Sequence, residues 1–183
     1  MDVYKKIISA LCILIITFVF FIVVKKTLVE FNIFLKRVEY YLTIFFGLVL
    51  VFIYKRKYNI SILCYIGMLF VFLLFREKVD KAYNFDFYLI KWLKMISTNR
   101  IVFINIIGNL LLFLPLTILI LVREKSNLFA LISTFVLVVF LETIQFITKT
   151  GVFDVVDILL NTMGILLGML FYKLLFHRKI KNC

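Results

Sequence analysis

Six stretches of mainly apolar residues follow one another along the chain, separated by short groups of charged residues. They cover residues 7–24, 38–54, 59–75, 101–122, 128–148 and 155–176. A helix needs about 20 apolar residues to cross the hydrocarbon of a bilayer, and about 17 is the usual lower limit. The pattern therefore predicts an all-α, polytopic transmembrane bundle of about six helices in one membrane domain over residues 1–183.

The segment 80–97 has a different pattern. On a helix its aromatic and aliphatic residues fall on one side, whereas Asn84, Lys91 and Lys94 fall on the other. This arrangement is typical of a helix that lies in the membrane interface. Three apolar residues interrupt the polar side, so an irregular loop with aromatic anchors is the alternative.

Composition supports a membrane protein, because 64% of the residues are hydrophobic and 17% are charged. Soluble domains have about 45–50% apolar and about 25% charged residues. The formal net charge is +12, and the charges lie between apolar runs. This distribution argues against a nucleic-acid partner and favours anionic lipid headgroups and the lipid bilayer as partners.

The basic residues also indicate an orientation. Six crossings place both termini on one side, and the total of Lys and Arg divides evenly between the two sides. The local density at the turn 55–57 and in the tail 178–181 then favours cytoplasmic termini under the positive-inside rule. Lys5 and Lys6 precede the first stretch, but no small-residue cleavage site follows it, so we interpret residues 7–24 as a retained anchor.

Histidine and cysteine usage excludes several kinds of site. His177, the single histidine, lies in the basic tail. A Ser-His or Cys-His pair or a His-ligated zinc site within the membrane therefore has no histidine to use. Cys12, Cys64 and Cys183 show no spacing typical of a disulfide framework or a metal site.

Polar residues inside the fourth and fifth stretches are candidates for function, because an Asp at mid-helix costs about 2.5–3.5 kcal/mol on insertion scales. In the fourth stretch, Asn105, Gly108 and Asn109 share one helix face, and Pro115 loosens the helix beyond them. In the fifth stretch, Glu142 and Gln145 lie three residues apart and are adjacent on one face.

The sixth stretch carries a stripe formed by Asp154, Asp157, Asn161, Gly164 and Gly168, at spacings of three and four residues. The two glycines form a close-packing motif of membrane helices. The carboxylates could cap the helix, ligate Mg²⁺ or Ca²⁺, or relay protons. Asp154 alone could be an N-terminal cap, but the two residues after it in the stripe lie too deep for both to be caps.

These residues resemble the VanZ family of bacterial membrane proteins, whose founding member is associated with low-level teicoplanin resistance. The resemblance rests on Asn105, Gly108-Asn109, Phe113-x-Pro115-Leu116, Glu142-x-x-Gln145, Phe153-Asp154-x-x-Asp157 and Asn161-Thr162-x-Gly164-x-x-x-Gly168. It covers residues 101–176, whereas the N-terminal helices 7–75 show only the expected hydropathy.

The chain departs from the family pattern at three places. Val156 stands where many members have a second acidic or amide residue, Thr117 replaces a glycine, and Gly151-Val152 replaces an arginine before the Phe-Asp pair. The resemblance implies a multi-pass protein of the bacterial plasma membrane that is connected with the cell envelope and glycopeptide tolerance. It implies no particular reaction.

Three functions compete at this point. The first is teicoplanin tolerance through an outward-facing polar site between helices, with a cell-wall precursor or a glycopeptide as partner and with Asn105, Asn109, Gln145 and Asn161 in binding roles. The second is a membrane enzyme that uses Glu142, Asp154 and Asp157 on a lipid- or phosphate-linked envelope substrate, alone or with a divalent cation. The third is a small proton-coupled transporter, which ranks last because no internal repeat is visible.

We assign helix packing to Gly108, Gly164 and Gly168. We expect one polar cluster where the fourth, fifth and sixth helices meet, formed by Glu142, Asp154, Asp157, Asn109, Gln145 and Asn161.

Overall fold

The computed structural model describes residues 3–31, 34–78, 83–84, 100–151 and 153–180. Within these ranges the chain is almost entirely helical. The helices are α1 (Val3–Phe31), α2 (Val38–Tyr54), α3 (Tyr58–Leu74), α4 (Arg100–Leu112), α5 (Leu114–Glu124), α6 (Asn127–Thr148) and α7 (Val155–Ile180).

The predicted all-α transmembrane bundle is confirmed, because every apolar stretch is helical. In the part of the chain that the structure describes, four segments are long and apolar enough to cross a membrane, namely Tyr4–Glu30, Val102–Glu124, Asn127–Thr148 and Val155–Leu175. Helices α2 and α3 have 17 residues each, which is about the lower limit for a crossing.

The fourth apolar stretch forms two helices instead of one. Helix α4 ends at Leu112 and α5 begins at Leu114, with Pro115 in its first turn. Proline has no N–H to donate, and its ring clashes with the carbonyl four residues earlier, so a helix tends to end just before it. This confirms that Pro115 loosens the helix, and the break at Phe113 is buried rather than exposed.

The helices fall into two compact units, Met1–Glu77 and Lys78–Cys183. The single membrane domain over residues 1–183 stays a prediction, and each unit is described by itself. In the first unit, α1 packs on α2 and α2 packs on α3. Phe20 and Phe46 stack with ring centroids 3.9 Å apart, and Gly67 of α3 leaves room for the ring of Phe45.

In the second unit, α7 contacts α4, α5 and α6. Its first two turns contribute Val156 and Leu160 to a buried apolar cluster with Ile106 of α4. Because α7 touches α4, α5 and α6, a polar residue on its buried face lies close to several neighbours.

The predicted interfacial helix 80–97 lies mostly outside the described residues. Its described part, Tyr83 and Asn84, forms a two-residue strand β1 that pairs in parallel with strand β2 (Phe153–Asp154). These two residues are therefore extended rather than helical, because their backbone is paired with the segment just before α7.

Candidate functional site

The candidate polar residues lie near one end of the α6–α7 pair. The two helices contact each other and are joined by the short segment 149–154. Glu142 lies six residues before the end of α6, and Asn161 lies six residues after the start of α7. At about 1.5 Å per residue, both are about 9 Å from the connection. Glu142 and Asn161 therefore lie at similar distances along their helices from this connection.

A hydrogen bond joins α4 to α7 at this end. The Nδ2 atom of Asn109 donates to Oδ1 of Asp157 at 2.6 Å. Asp157 is half-buried, and a hydrogen bond to an ionised acceptor is about twice as strong as one between neutral groups. The structure thus brings together two residues that the sequence had placed on different helices.

Asp154 occupies the N-cap position of α7. Its Oδ1 accepts a hydrogen bond from the backbone N–H of Val156 at 2.8 Å, and the residue is 7% exposed. An aspartate in this position satisfies one of the free N–H groups in the first turn of the helix. The capping role, which was the alternative for Asp154, is therefore present in the structure.

Glu142 and Gln145 are buried, at 5% and 4% exposure. They lie on the face of α6 that also buries Val138 and Leu141. Both residues lie within the apolar span Asn127–Thr148, where a charged group is costly unless polar groups satisfy it.

Gly151 is the position that makes room for Gln145. A Cβ atom built on Gly151 would lie 2.9 Å from Nε2 of Gln145. The backbone N–H of Thr150 also donates to the carbonyl of Gln145 at 3.1 Å. The segment after α6 therefore turns back onto the end of this helix, with Gly151 close to the side chain of Gln145.

Asn161 is 3% exposed, and its Oδ1 has no hydrogen-bond partner among the residues that the structure describes. Buried polar atoms are usually paired with protein groups or ordered water, so an unpaired one needs an explanation. Asn105 is half-buried, one turn before Asn109 on α4.

The glycines of α7 lie against the backbone of α4 and α5. A Cβ atom on Gly164 would overlap the carbonyl oxygen of Leu110, and one on Gly168 would lie 2.9 Å from that of Leu114. Gly108 differs, because it is exposed and a Cβ atom there meets no described atom within 4 Å. The packing role of Gly108 thus stays a prediction, whereas Gly164 and Gly168 lie in close contact with a neighbouring backbone.

Two buried residues were not among the predicted site residues. Thr117 is fully buried, donates its hydroxyl to the carbonyl of Phe113 at 2.9 Å and lies beside Gly168. Thr134 is also fully buried, and its Oγ1 has no partner in the described part of the chain. The available signal was spacing, since Thr134 lies eight residues before Glu142 and so shares its face of α6.

A divalent cation was one candidate ligand of the three carboxylates. In the described ranges, no group of three or more His, Cys, Asp or Glu residues could hold a metal ion.

Apolar helices of this length, with a polar site near one end of the bundle, define a helical membrane protein. The chain belongs to the VanZ/LLP1 family, whose model matches residues 6–176. Neither a curated protein nor a solved structure matches the chain. The family match includes the N-terminal helices, where the sequence had offered hydropathy alone.

Proposed function

We propose that this protein contributes to glycopeptide tolerance, and to teicoplanin tolerance in particular, through a polar site at the junction of α4, α6 and α7. The observation that carries the proposal is a buried carboxylate and amide on α6, Glu142 and Gln145, near the same end of the α6–α7 pair as the Asn109–Asp157 hydrogen bond. We call these four residues, together with Asn161, the polar site.

The energetics favour a functional role for this site. Membrane insertion of a single Asp at mid-helix costs about 2.5–3.5 kcal/mol, and the family pattern here includes more than one acid. Asp154 has a capping role, and Asp157 accepts from Asn109. Glu142 lies too far from either end of α6 to act as a cap. The unpaired Oδ1 of Asn161 also leaves an acceptor for a polar ligand or a water molecule.

The orientation of the chain in the membrane determines which molecules can reach the polar site. We propose six crossings with both termini in the cytoplasm of a bacterial cell, so that the connection 149–154 faces outward. The polar site would then open toward cell-wall precursors and glycopeptides. Both kinds of molecule carry peptide N–H and C=O groups, which carboxylate and amide side chains can bind.

A susceptibility panel in a deletion strain tests the proposal. The strain is complemented with the wild-type chain, Asp157→Asn or Glu142→Gln, and is exposed to teicoplanin, vancomycin and an unrelated wall antibiotic. We expect deletion to increase sensitivity to teicoplanin selectively. Each variant should behave like the deletion at unchanged protein level.

The matched control is Glu124→Gln, because it makes the same change at the end of α5, where Glu124 pairs with Arg123 at the surface. This variant should complement fully. Retained resistance in both Asp157→Asn and Glu142→Gln would contradict the role of the site. Equal sensitivity of the deletion strain to all three antibiotics would contradict glycopeptide tolerance itself.

A further inference from the structure

A concave basic surface lies between the end of α1 and the start of α2, within the unit Met1–Glu77. The cavity measures about 440 Å³, and sites for small ligands have volumes of about 300–1,000 Å³. Lys25, Lys36 and Arg37 line it together with one acidic residue, Glu39. We call this surface the basic cavity.

The cations of the basic cavity are available to an anion. All three are exposed, and none forms an ion pair with a carboxylate in the described part of the chain. Lys25 lies 5.9 Å from the ring centroid of Phe21, a contact that leaves its N–H donors able to bind. With Glu39 included, the lining carries two net positive charges, which complements a phosphate group.

The connection that carries two of these cations is held in place by α3 and the residues after it. The N–H of Leu35 donates to the carbonyl of Phe75 at 3.1 Å, and Phe34 forms an antiparallel bridge with Arg76. Arg37 adopts a left-handed conformation with φ 74°, which is uncommon for a residue other than glycine. A fixed backbone lowers the entropy that is lost when a ligand binds.

The remaining walls of the basic cavity are apolar. Leu28 is buried, whereas Leu35 and Tyr40 are about half exposed, and all three line the cavity. A free phosphate ion would use the cations but not these walls. A phospholipid would use both, because its phosphate is attached to glycerol and acyl carbons.

We infer that the basic cavity binds the phosphate headgroup of an anionic membrane lipid. Lys25, Lys36 and Arg37 contact the phosphate, and the apolar walls contact the glycerol and the upper acyl carbons. The long side chain of Lys25 can extend from α1 to the headgroup level. The basic cavity is formed by residues of the unit Met1–Glu77, whereas the residues of the polar site belong to the unit Lys78–Cys183.

Native mass spectrometry of the full chain in detergent micelles tests the inference. The protein is titrated with phosphatidylglycerol and, separately, with zwitterionic phosphatidylcholine. The double variant Lys36→Gln/Arg37→Gln should bind phosphatidylglycerol about thirtyfold more weakly than the wild type, from the contribution of each basic residue near an anionic surface. Binding of phosphatidylcholine should be weak and unchanged.

The matched control is Lys55→Gln/Arg56→Gln at the opposite end of α2. It also neutralises an adjacent Lys-Arg pair, and Arg56 also has a left-handed backbone, with φ 56°. This control should bind phosphatidylglycerol within about twofold of the wild type. Equal loss in both double variants would show a general charge effect and would overturn the site.

A third variant gives a change in the opposite direction. Glu39→Gln removes the acidic residue from the lining and should tighten phosphatidylglycerol binding about fivefold. Unchanged or weaker binding, in a variant whose circular dichroism matches the wild type, would contradict charge complementarity. This measurement keeps the inference testable even if the double variant folds poorly.

Competition separates a lipid from a soluble anion. An excess of inorganic phosphate should displace phosphatidylglycerol only weakly, since it cannot use the apolar walls. Displacement as effective as that by short-chain phosphatidylglycerol would show a site for soluble phosphate and would overturn the assignment to lipid. Equal affinity for phosphatidylcholine and phosphatidylglycerol would overturn it as well.

Discussion

Replacing Asn109 by alanine should destabilise the protein through one identifiable contact. In the native chain, Asn109 Nδ2 donates to Asp157 Oδ1 at 2.6 Å. Alanine removes this donor and leaves the half-buried carboxylate short of one partner. The loss of stability therefore has two causes, because the hydrogen bond is removed and a charged acceptor is left incompletely satisfied.

The magnitude can be bounded from both sides. Hydrogen bonds to charged groups contribute about 1.5–3 kcal/mol in soluble proteins. Between transmembrane helices, double-mutant cycles average about 0.6 kcal/mol, with a maximum of about 1.7 kcal/mol. The short donor–acceptor distance and the charge on Asp157 place the coupling free energy near the upper membrane value. The partial exposure of Asp157 reduces this free energy. We therefore expect a coupling free energy of about 1.5 kcal/mol between Asn109 and Asp157.

A double-mutant cycle measures this coupling. The free energy of unfolding is determined for the wild type, Asn109→Ala, Asp157→Ala and the double variant, by titration with sodium dodecyl sulfate in mixed micelles and circular dichroism. Asn105→Ala with Asp157→Ala forms the control cycle, since Asn105 lies one turn away on the same helix. Coupling below about 0.5 kcal/mol in the first cycle, or equal coupling in both cycles, would refute the reasoning.

Three further predictions concern α7, its cap and the orientation. Gly164→Leu should lower the level of protein in the membrane, whereas Gly108→Leu should not. Immunoblotting of membrane fractions measures these levels, and equal levels of the two variants would contradict the close helix contact at Gly164. Asp154→Ala should reduce the free energy of unfolding by about 1 kcal/mol through loss of the cap, and no change in the same titration would count against it. The orientation is tested in a chain in which Cys12 and Cys64 are replaced by alanine. There, Lys149→Cys should react with an impermeant maleimide in intact cells, whereas Cys183 should react only after permeabilisation. The reverse result would show the opposite orientation.

The helices could be predicted from sequence because hydropathy and a single proline determine them locally. Each apolar stretch reaches at least about the minimum length of a membrane crossing, and Pro115 acts on the backbone within one turn of its own position. The pairing of β1 with β2 could not be predicted in this way. Tyr83 and Phe153 are 70 residues apart in the chain, so nothing local indicates that their backbones meet, and Asn84 instead matched a helical pattern.

The candidate site could be predicted only as far as helix faces allow. Spacing placed Asp157 and Asn161 on one face of α7, but it does not determine which neighbouring helix that face contacts. The Asn109–Asp157 bond depends on the rotation of both helices about their axes. For the same reason, spacing could not show which glycine packs closely against a neighbouring helix. Gly108 and Gly164 occur in similar patterns, but of these two only Gly164 faces another backbone.

On α7, the packing of the glycines and the chemistry of the polar residues depend on each other. Gly164 lies against the backbone of Leu110, which is the residue next to Asn109. The helices can approach this closely because the glycine has no side chain, and Asp157 lies two turns before it on α7. Any side chain at position 164 would push α4 away from α7, and a shift of about 1 Å would lengthen the 2.6 Å contact beyond hydrogen-bonding distance. The glycine thus positions the amide that the carboxylate binds, so a packing residue near the membrane interior determines the geometry of the polar site at its end.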